Sequence, residues 1–357
     1  MTKTLLVVNG DDDSSRGGFS ALISNWKPLI SKMKIELSSG FINSIIKKNE
    51  LNFPTTFFFN IDSKKIPLPL RIILNLFDGF FFVLFPKNRK YKKIIFIIGN
   101  SYTQLFSLVI ISYFIKSISI YFVDDIEYHL RINNKKNQIL LFTYLIKFLK
   151  NRKCSFSAIT PKLAENFSKL CQLNLSYVPL PYNFNNKFKY TTKTKTVRKE
   201  IFFIGSVNEI VFDAIYDFIS RLPYGWKLNI ITASNTDKYD LKKFSNKVNI
   251  IHNLDDDRAF KIAYECAGIL IPYSFNLKHK QMIESSFPSK ILKAVLYNKP
   301  IILYGPNYQS IKNFPYNKEL VFFPKNYRLK GLIRILKFIP NFKKIKKTHR
   351  INNFLLI

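Results

Sequence analysis

Short apolar runs recur along the chain, separated by longer stretches whose apolar residues return every three or four positions. Residues 4–9 (TLLVVN) predict a buried strand, and Gly10 with the acidic, Ser- and Gly-rich segment Asp11–Gly18 predicts a loop. Further strands are expected at 33–37, 55–59, 94–99 (IIFIIG), 118–123 (ISIYFV) and 155–160 (SFSAIT). Helices are expected over 19–32, 41–49, 70–86, 102–116 and 136–149. Strands that are apolar throughout, alternating with helices, are the pattern of a parallel sheet covered on both faces. Thr160–Pro161 opens one more helix, expected to end near Leu170: the hydroxyl caps it, and proline costs nothing at the first helical position.

The pattern breaks at 179–199, where prolines, asparagines and the run Thr191–Thr196 carry no apolar periodicity. It then restarts. Strands are expected at 200–204 (EIFFI), 227–232, 248–252, 267–271 and 300–304. Helices are expected at 208–221, from an acidic start at Asp255–Asp257 to Glu265, and from Pro288 to about Tyr297, with a loop over 272–287. The division that follows is a first domain over 1–183, a linker over 184–199, a second domain over 200–324 and a basic segment over 325–357. The fold class is α/β, with two Rossmann-like doubly wound parallel-sheet domains facing across a cleft.

A length of 357 residues suits two domains of ordinary size, and 47% apolar residues exclude bulk disorder. The 56 Lys and Arg against 23 Asp and Glu leave a formal charge of +33. The excess accompanies a general richness in Lys, Asn, Ile and Phe, so no nucleic acid is expected as partner; an anionic membrane surface or a nucleotide diphosphate fits the same charge. Beyond residue 324 there are ten basic residues and no acidic one. Cys154, Cys171 and Cys266 form neither a disulfide ladder nor a CxxC site. The N-terminus shows no signal-peptide pattern. Residues 66–86 and 105–123 are apolar, but Arg71, Asn75, Asp78 and Lys116 argue against membrane spans. The first of these also fits an interfacial helix.

Residues 266–305 (CAGILIPYSFNLKHKQMIESSFPSKILKAVLYNKPIILYG) combine a strand, a polar loop, a Phe-Pro-Ser-Lys helix start and an Asn-Lys-Pro entry to the next strand. This run resembles the nucleotide-sugar-binding segment of GT-B glycosyltransferases, especially retaining enzymes of bacterial surface polysaccharide assembly. Ile201–Ser206, Tyr121–Glu127, Ile159–Ala164, Val178–Asn183 and the Ser15–Phe19 loop are similar to other parts of that family, in position more than in motif. The resemblance implies transfer of a sugar from a nucleotide diphosphate sugar to a glycan or lipid-linked hydroxyl. It further implies retention of configuration, no metal or other cofactor, and a cytoplasmic protein lying peripherally at the inner face of the membrane.

The residues this singles out are few. Ser289 and Lys290, with Ser286 in the same turn, offer backbone N–H groups, a hydroxyl and an ammonium to a diphosphate; a capped helix with a surface lysine is the plainer reading. Gly205 and Ser206 let backbone approach the donor closely, or simply turn the chain. Arg16, Gly17 and Gly18 form a second loop toward phosphate or acceptor. Asp125 and His129 are the candidate catalytic residues beside Lys290: Asp124, Asp125 or Glu127 can orient or deprotonate an acceptor hydroxyl, or cap the next helix. Related enzymes carry two glutamates eight positions apart, where this chain has Ser285 and Lys293, with Glu284 one place off the first. That departure implies an altered donor mode, a lysine turned toward phosphate, or a weakened catalyst. A non-catalytic glycan- or nucleotide-binding relative is therefore the alternative, and a nucleic-acid-binding protein a more distant one.

Overall fold

The computed structural model describes residues 3–8, 35–38, 66–85, 88, 90–99, 102–178, 198–232, 235–237, 239–252, 254, 256–288, 291, 300–306 and 321–322. Expected elements at 19–32, 41–49 and 55–59, the linker up to residue 197, most of the helix from Pro288, and the basic segment 325–357 lie outside these residues; the last two linker positions, 198 and 199, already belong to a strand. So do Arg16, Gly17, Gly18, Ser289, Lys290 and Lys293.

The first six strands are β1 (Lys3–Val8), β2 (Ile35–Ser38), β3 (Tyr91–Ile98), β4 (Ser117–Phe122), β5 (Ser155–Ala158) and β6 (Ser176–Tyr177). They form one parallel sheet in the order β2-β1-β3-β4-β5-β6. Helices α1 (Leu68–Leu84), α2 (Leu105–Ile111), α3 (Ile126–Ile132), α4 (Lys136–Asn151) and α5 (Pro161–Cys171) connect them. The second sheet has β7 (Arg198–Ile204), β8 (Lys227–Thr232), β9 (Val248–His252), β10 (Cys266–Pro272), β11 (Ile301–Tyr304) and β12 (Val321–Phe322). It is also parallel throughout, ordered β12-β11-β10-β7-β8-β9. Its helices are α6 (Phe212–Ser220), α7 (Asp256–Glu265) and α8 (Lys280–Ser285).

Both sheets are buried on two faces, which is why the later part of β3 (IIFII) and β10 (CAGILIP) carry almost unbroken apolar sequence. Along β7, Ile201 and Phe203 point into one apolar cluster while Phe202 points into the other. The cluster that fills the first domain runs on without a break into that second face through Ile269, Ile271 and Ile283. The two domains therefore share apolar contact as well as a seam of polar groups.

Thr160 caps α5 as its sequence predicts, accepting from Leu163 N at 3.1 Å, with Pro161 in the first turn. Three differences matter for the site. The helix expected at 102–116 ends at Ile111, because the chain turns there to enter β4. Helices α3 and α8 occupy segments expected as an acidic turn and a loop. Both are short, and α8 (KQMIES) is too polar for an apolar period to mark it.

α1 packs on α2 at a point where there is no room for a side chain. A Cβ on Gly79 would lie 2.5 Å from the Ser107 carbonyl oxygen, which is backbone and cannot step aside. Gly79→Ala is expected to destabilise the protein by about 1–3 kcal/mol through forced separation of the two helices. Denaturant unfolding with an unchanged slope checks this. No helix among the described residues is long and apolar enough to cross a membrane.

Candidate active site

In an open parallel sheet, the crevice beyond the carboxyl ends of the strands lies where the strand order reverses. In the second sheet that point is between β7 and β10, the first central strands of the two directions. β7 ends at Gly205, whose φ of 143° favours glycine, and Ser206 beyond it is exposed. β10 leads into Tyr273 and Ser274. Asp213 at the start of α6 fixes this exit by accepting from Ser274 Oγ at 2.7 Å and Phe275 N at 3.0 Å. Beyond the ends of β10 and β11 a hollow of about 210 Å³ is lined by Ser274, Phe275, Lys280, Ile283, Glu284 and Pro306. Glu284 thus stands at the carboxyl edge of the second sheet, with Lys280 Nζ 4.0 Å away.

The first domain meets this edge through the turn after β4. Asp124 is partly open, its side chain 28% exposed, and its Oδ2 lies 3.3 Å from His129 Nε2. Its Oδ1 accepts the Asp125 N–H at 2.9 Å, which fixes the plane of the carboxylate. Across the domain boundary is Tyr273. Burial pushes its hydroxyl up to about 12; the hydrogen bond from Ser286 at 3.3 Å opposes this, and the Asp124 charge adds to it. The Asp124–His129 pair and the Tyr273–Ser286 pair therefore lie on the two sides of the domain junction, beside the bond from Ser285 to Asp125.

Asp125, expected as a catalytic residue, takes the other role open to it. It is fully buried and caps α3, accepting from Tyr128 N at 3.0 Å. Its second oxygen accepts from Gln281 Nε2 at 3.1 Å and Ser285 Oγ at 2.9 Å, both on α8 of the second domain. A buried carboxylate already ringed by protein donors has no oxygen turned to a substrate. Adjacent Asp124 is the partly exposed carboxylate of this turn. Ser285, expected at the donor, is likewise buried in this seam. Its carbonyl accepts from Thr160 Oγ1 at 2.6 Å, so the residue that caps α5 also grips the end of α8. Glu127 turns away from Asp125 and pairs with Arg131.

The seam has a second polar contact. Tyr128 Oη lies 2.6 Å from His279 Nδ1. Burial, aided by the Lys278 charge, lowers the His279 pKa, and burial likewise raises that of Tyr128. His279 Nε2 is buried without a hydrogen-bond partner among the described residues. Beside this contact runs an interdomain groove of about 770 Å³, lined by Arg131, Lys162 and Lys169 on one side and Lys278, Lys280 and Glu284 on the other. Among the described residues, no three His, Cys, Asp or Glu side chains form a group that could hold a metal ion.

Sequence reasoning missed the seam helix α8 and the part played by Gln281, Tyr128, Thr160 and Tyr273. The signal for Thr160 was present in the cap motif, but its second bond spans 125 residues of sequence.

No protein-family model and no curated protein matches the chain. Solved structures do. A lipopolysaccharide outer core galactosyltransferase, WaaB, in its apo form is 13% identical over 96% of this chain and 92% of its own, with a TM-score of 0.56. A sucrose-phosphate synthase from Thermosynechococcus elongatus is 9% identical over 95% and 90%, with a TM-score of 0.62. Anabaena HepE in complex with UDP is 12% identical over 94% and 89%, with a TM-score of 0.51. At such identities the likeness is one of fold, and the fold is GT-B: two Rossmann-like domains, each a parallel sheet flanked by helices.

Proposed function

We propose that this chain, built on the GT-B glycosyltransferase fold, moves a sugar from a nucleotide diphosphate sugar to a hydroxyl of a glycan or lipid-linked acceptor. The observation that carries the reading is the seam that sets the Asp124–His129 turn after β4 against α8, where Asp125 accepts from Gln281 and Ser285 and Ser286 bonds Tyr273 beside them. The donor occupies the second domain, over Gly205, Ser206 and Ser286, with its diphosphate taken by Ser289 and Lys290 as the Phe-Pro-Ser-Lys sequence suggests. Glu284, and Lys293 in place of a ribose carboxylate, give that pocket its own donor preference. The acceptor hydroxyl is held by Asp124 and His129, approached by the loop of Arg16, Gly17 and Gly18. The basic groove takes an anionic part of the acceptor.

In the reaction the bond from the anomeric carbon to the diphosphate oxygen breaks as the acceptor oxygen bonds to that carbon. The hydroxyl proton leaves on the diphosphate or on the Asp124–His129 pair. Retention of configuration and independence of a metal are part of the proposal and rest on the resemblance of residues 266–305. Lysine side chains and helix N–H groups would then stabilise the leaving diphosphate.

A thermal-shift screen against UDP-, GDP-, CMP- and dTDP-sugars tests donor binding. A ligand that binds only the folded state raises the melting temperature by mass action, by about 2.7 kcal/mol of stability at a hundredfold excess over Kd. The expected result is a shift selective for one base and lost in Lys290→Ala. Flat traces from folded protein across the panel would contradict the reading. A shift without any sugar transferred would favour the non-catalytic binding relative, for which Ser285 and Lys293 are the motivating departures.

A further inference from the structure

Helix α1 is inside out for a helix on a water-facing domain. Its inner stripe is Asn75, Asp78, Gly79 and Phe82, so the polar residues of the helix point inward. Ser107 Oγ on α2 lies 2.7 Å from the Asn75 carbonyl and 3.2 Å from Asp78 Oδ2, and Gly79 sits against the Ser107 backbone. The outer stripe is Leu70, Ile73, Phe77, Phe80, Phe81 and Leu84, each between 41% and 52% exposed. These positions follow i, i+3, i+4 spacing and form one continuous apolar face. Small residues and hydrogen bonds between helices, with large apolar side chains outside, are the packing that suits a lipid surrounding. In water the same helix would be expected to turn that face to the core.

The rest of this layer agrees. Tyr113 and Phe114, in the turn after α2, are 57% and 65% exposed. On α1, α2 and α4 the one acidic side chain is Asp78, which is buried. The Phe82 and Tyr91 rings, 6.3 Å apart, bring the start of β3 against α1, and the entries to β3 and β4 carry Lys90, Lys92, Lys93 and Lys116. An apolar face flanked by these cations is complementary to anionic lipid. A second copy of a chain carrying +33 would meet it with like charge.

We propose that the outer face of α1, extended by Tyr113 and Phe114, docks the protein on the surface of an anionic bilayer. At 17 residues the helix is about 25 Å long, so it lies along the interface with its phenylalanines among the acyl chains. This goes beyond the transferase reading and does not depend on it.

Flotation of the full-length protein with vesicles tests the proposal. Wild type is expected to float with phosphatidylcholine vesicles containing phosphatidylglycerol, and to bind at least tenfold less to phosphatidylcholine alone. Phe77→Glu with Phe80→Glu should lose at least tenfold in vesicle binding while melting no lower than wild type. Phe77→Trp should show a blue-shifted emission on the anionic vesicles. Absence of wild-type flotation overturns the proposal. So does vesicle binding that the paired glutamates leave intact. If they unfold the protein, the tryptophan decides: no blue shift on adding vesicles means the face is covered by the chain itself. A wild-type dimer that they dissociate, with no vesicle binding, means the occupant is a second copy.

Discussion

Asp124→Asn is expected to lower sugar transfer by about 10²–10⁴-fold, the usual worth of a positioned acid–base group. The amide keeps the size of the carboxylate and can still accept the Asp125 N–H that holds it in plane. What it loses is the charge beside His129 Nε2 at 3.3 Å, and with it the strong acceptor for a substrate hydroxyl. Because the side chain is partly exposed and carries no helix cap, stability should change by no more than about 0.5 kcal/mol. The loss should fall on the rate, with donor binding by thermal shift unchanged. Steady-state kinetics on the variant beside wild type check both halves. A variant that transfers sugar at the wild-type rate would place the acceptor elsewhere.

Asp125 gives the opposite signature. Asp125→Ala removes the cap of α3 and the shared acceptor of Gln281 and Ser285. Loss of a cap costs about 1 kcal/mol, and loss of buried bonds to a charged group a further 1.5–3 kcal/mol. A drop of about 2.5–4 kcal/mol is expected in denaturant unfolding. Asp125→Asn separates the two roles. Its carbonyl can still cap Tyr128 N, while its amide opposes the Gln281 Nε2 donor across the seam. It should keep α3 and loosen the hold of one domain on the other, seen as a larger radius of gyration by X-ray scattering. A double-mutant cycle with Ser285→Ala should then show coupling between the residues. Two independent losses would show that the bond across the seam carries no stability.

The strands were legible because a parallel sheet buried on both faces leaves runs such as IIFII and GILI with nothing polar in them. The start of α5 was legible because Thr160 and Pro161 act locally. The seam was not. Ser285 and Asp125 stand 160 positions apart, and α8 is one and a half turns of mostly polar sequence. Which of two adjacent aspartates stays partly exposed is decided by the turn into α3, where Asp125 leaves the strand at φ −88°, ψ 85° to cap the helix. Nor does composition tell the two faces of α1 apart, since both are apolar in part. Close contact between Gly79 and Ser107 sets which face is turned outward.

The central claim is that the Asp124–His129 turn and the carboxyl edge of the second sheet form one transferase site. The most direct measurement is release of nucleoside diphosphate from the donor selected by thermal shift, with the acceptor product followed by mass spectrometry. The account predicts sugar-bearing product and stoichiometric nucleoside diphosphate from wild type, and neither above background from Asp124→Asn at unchanged donor binding. Donor binding by wild type with neither product formed, across glycan and lipid-linked acceptors, would contradict it.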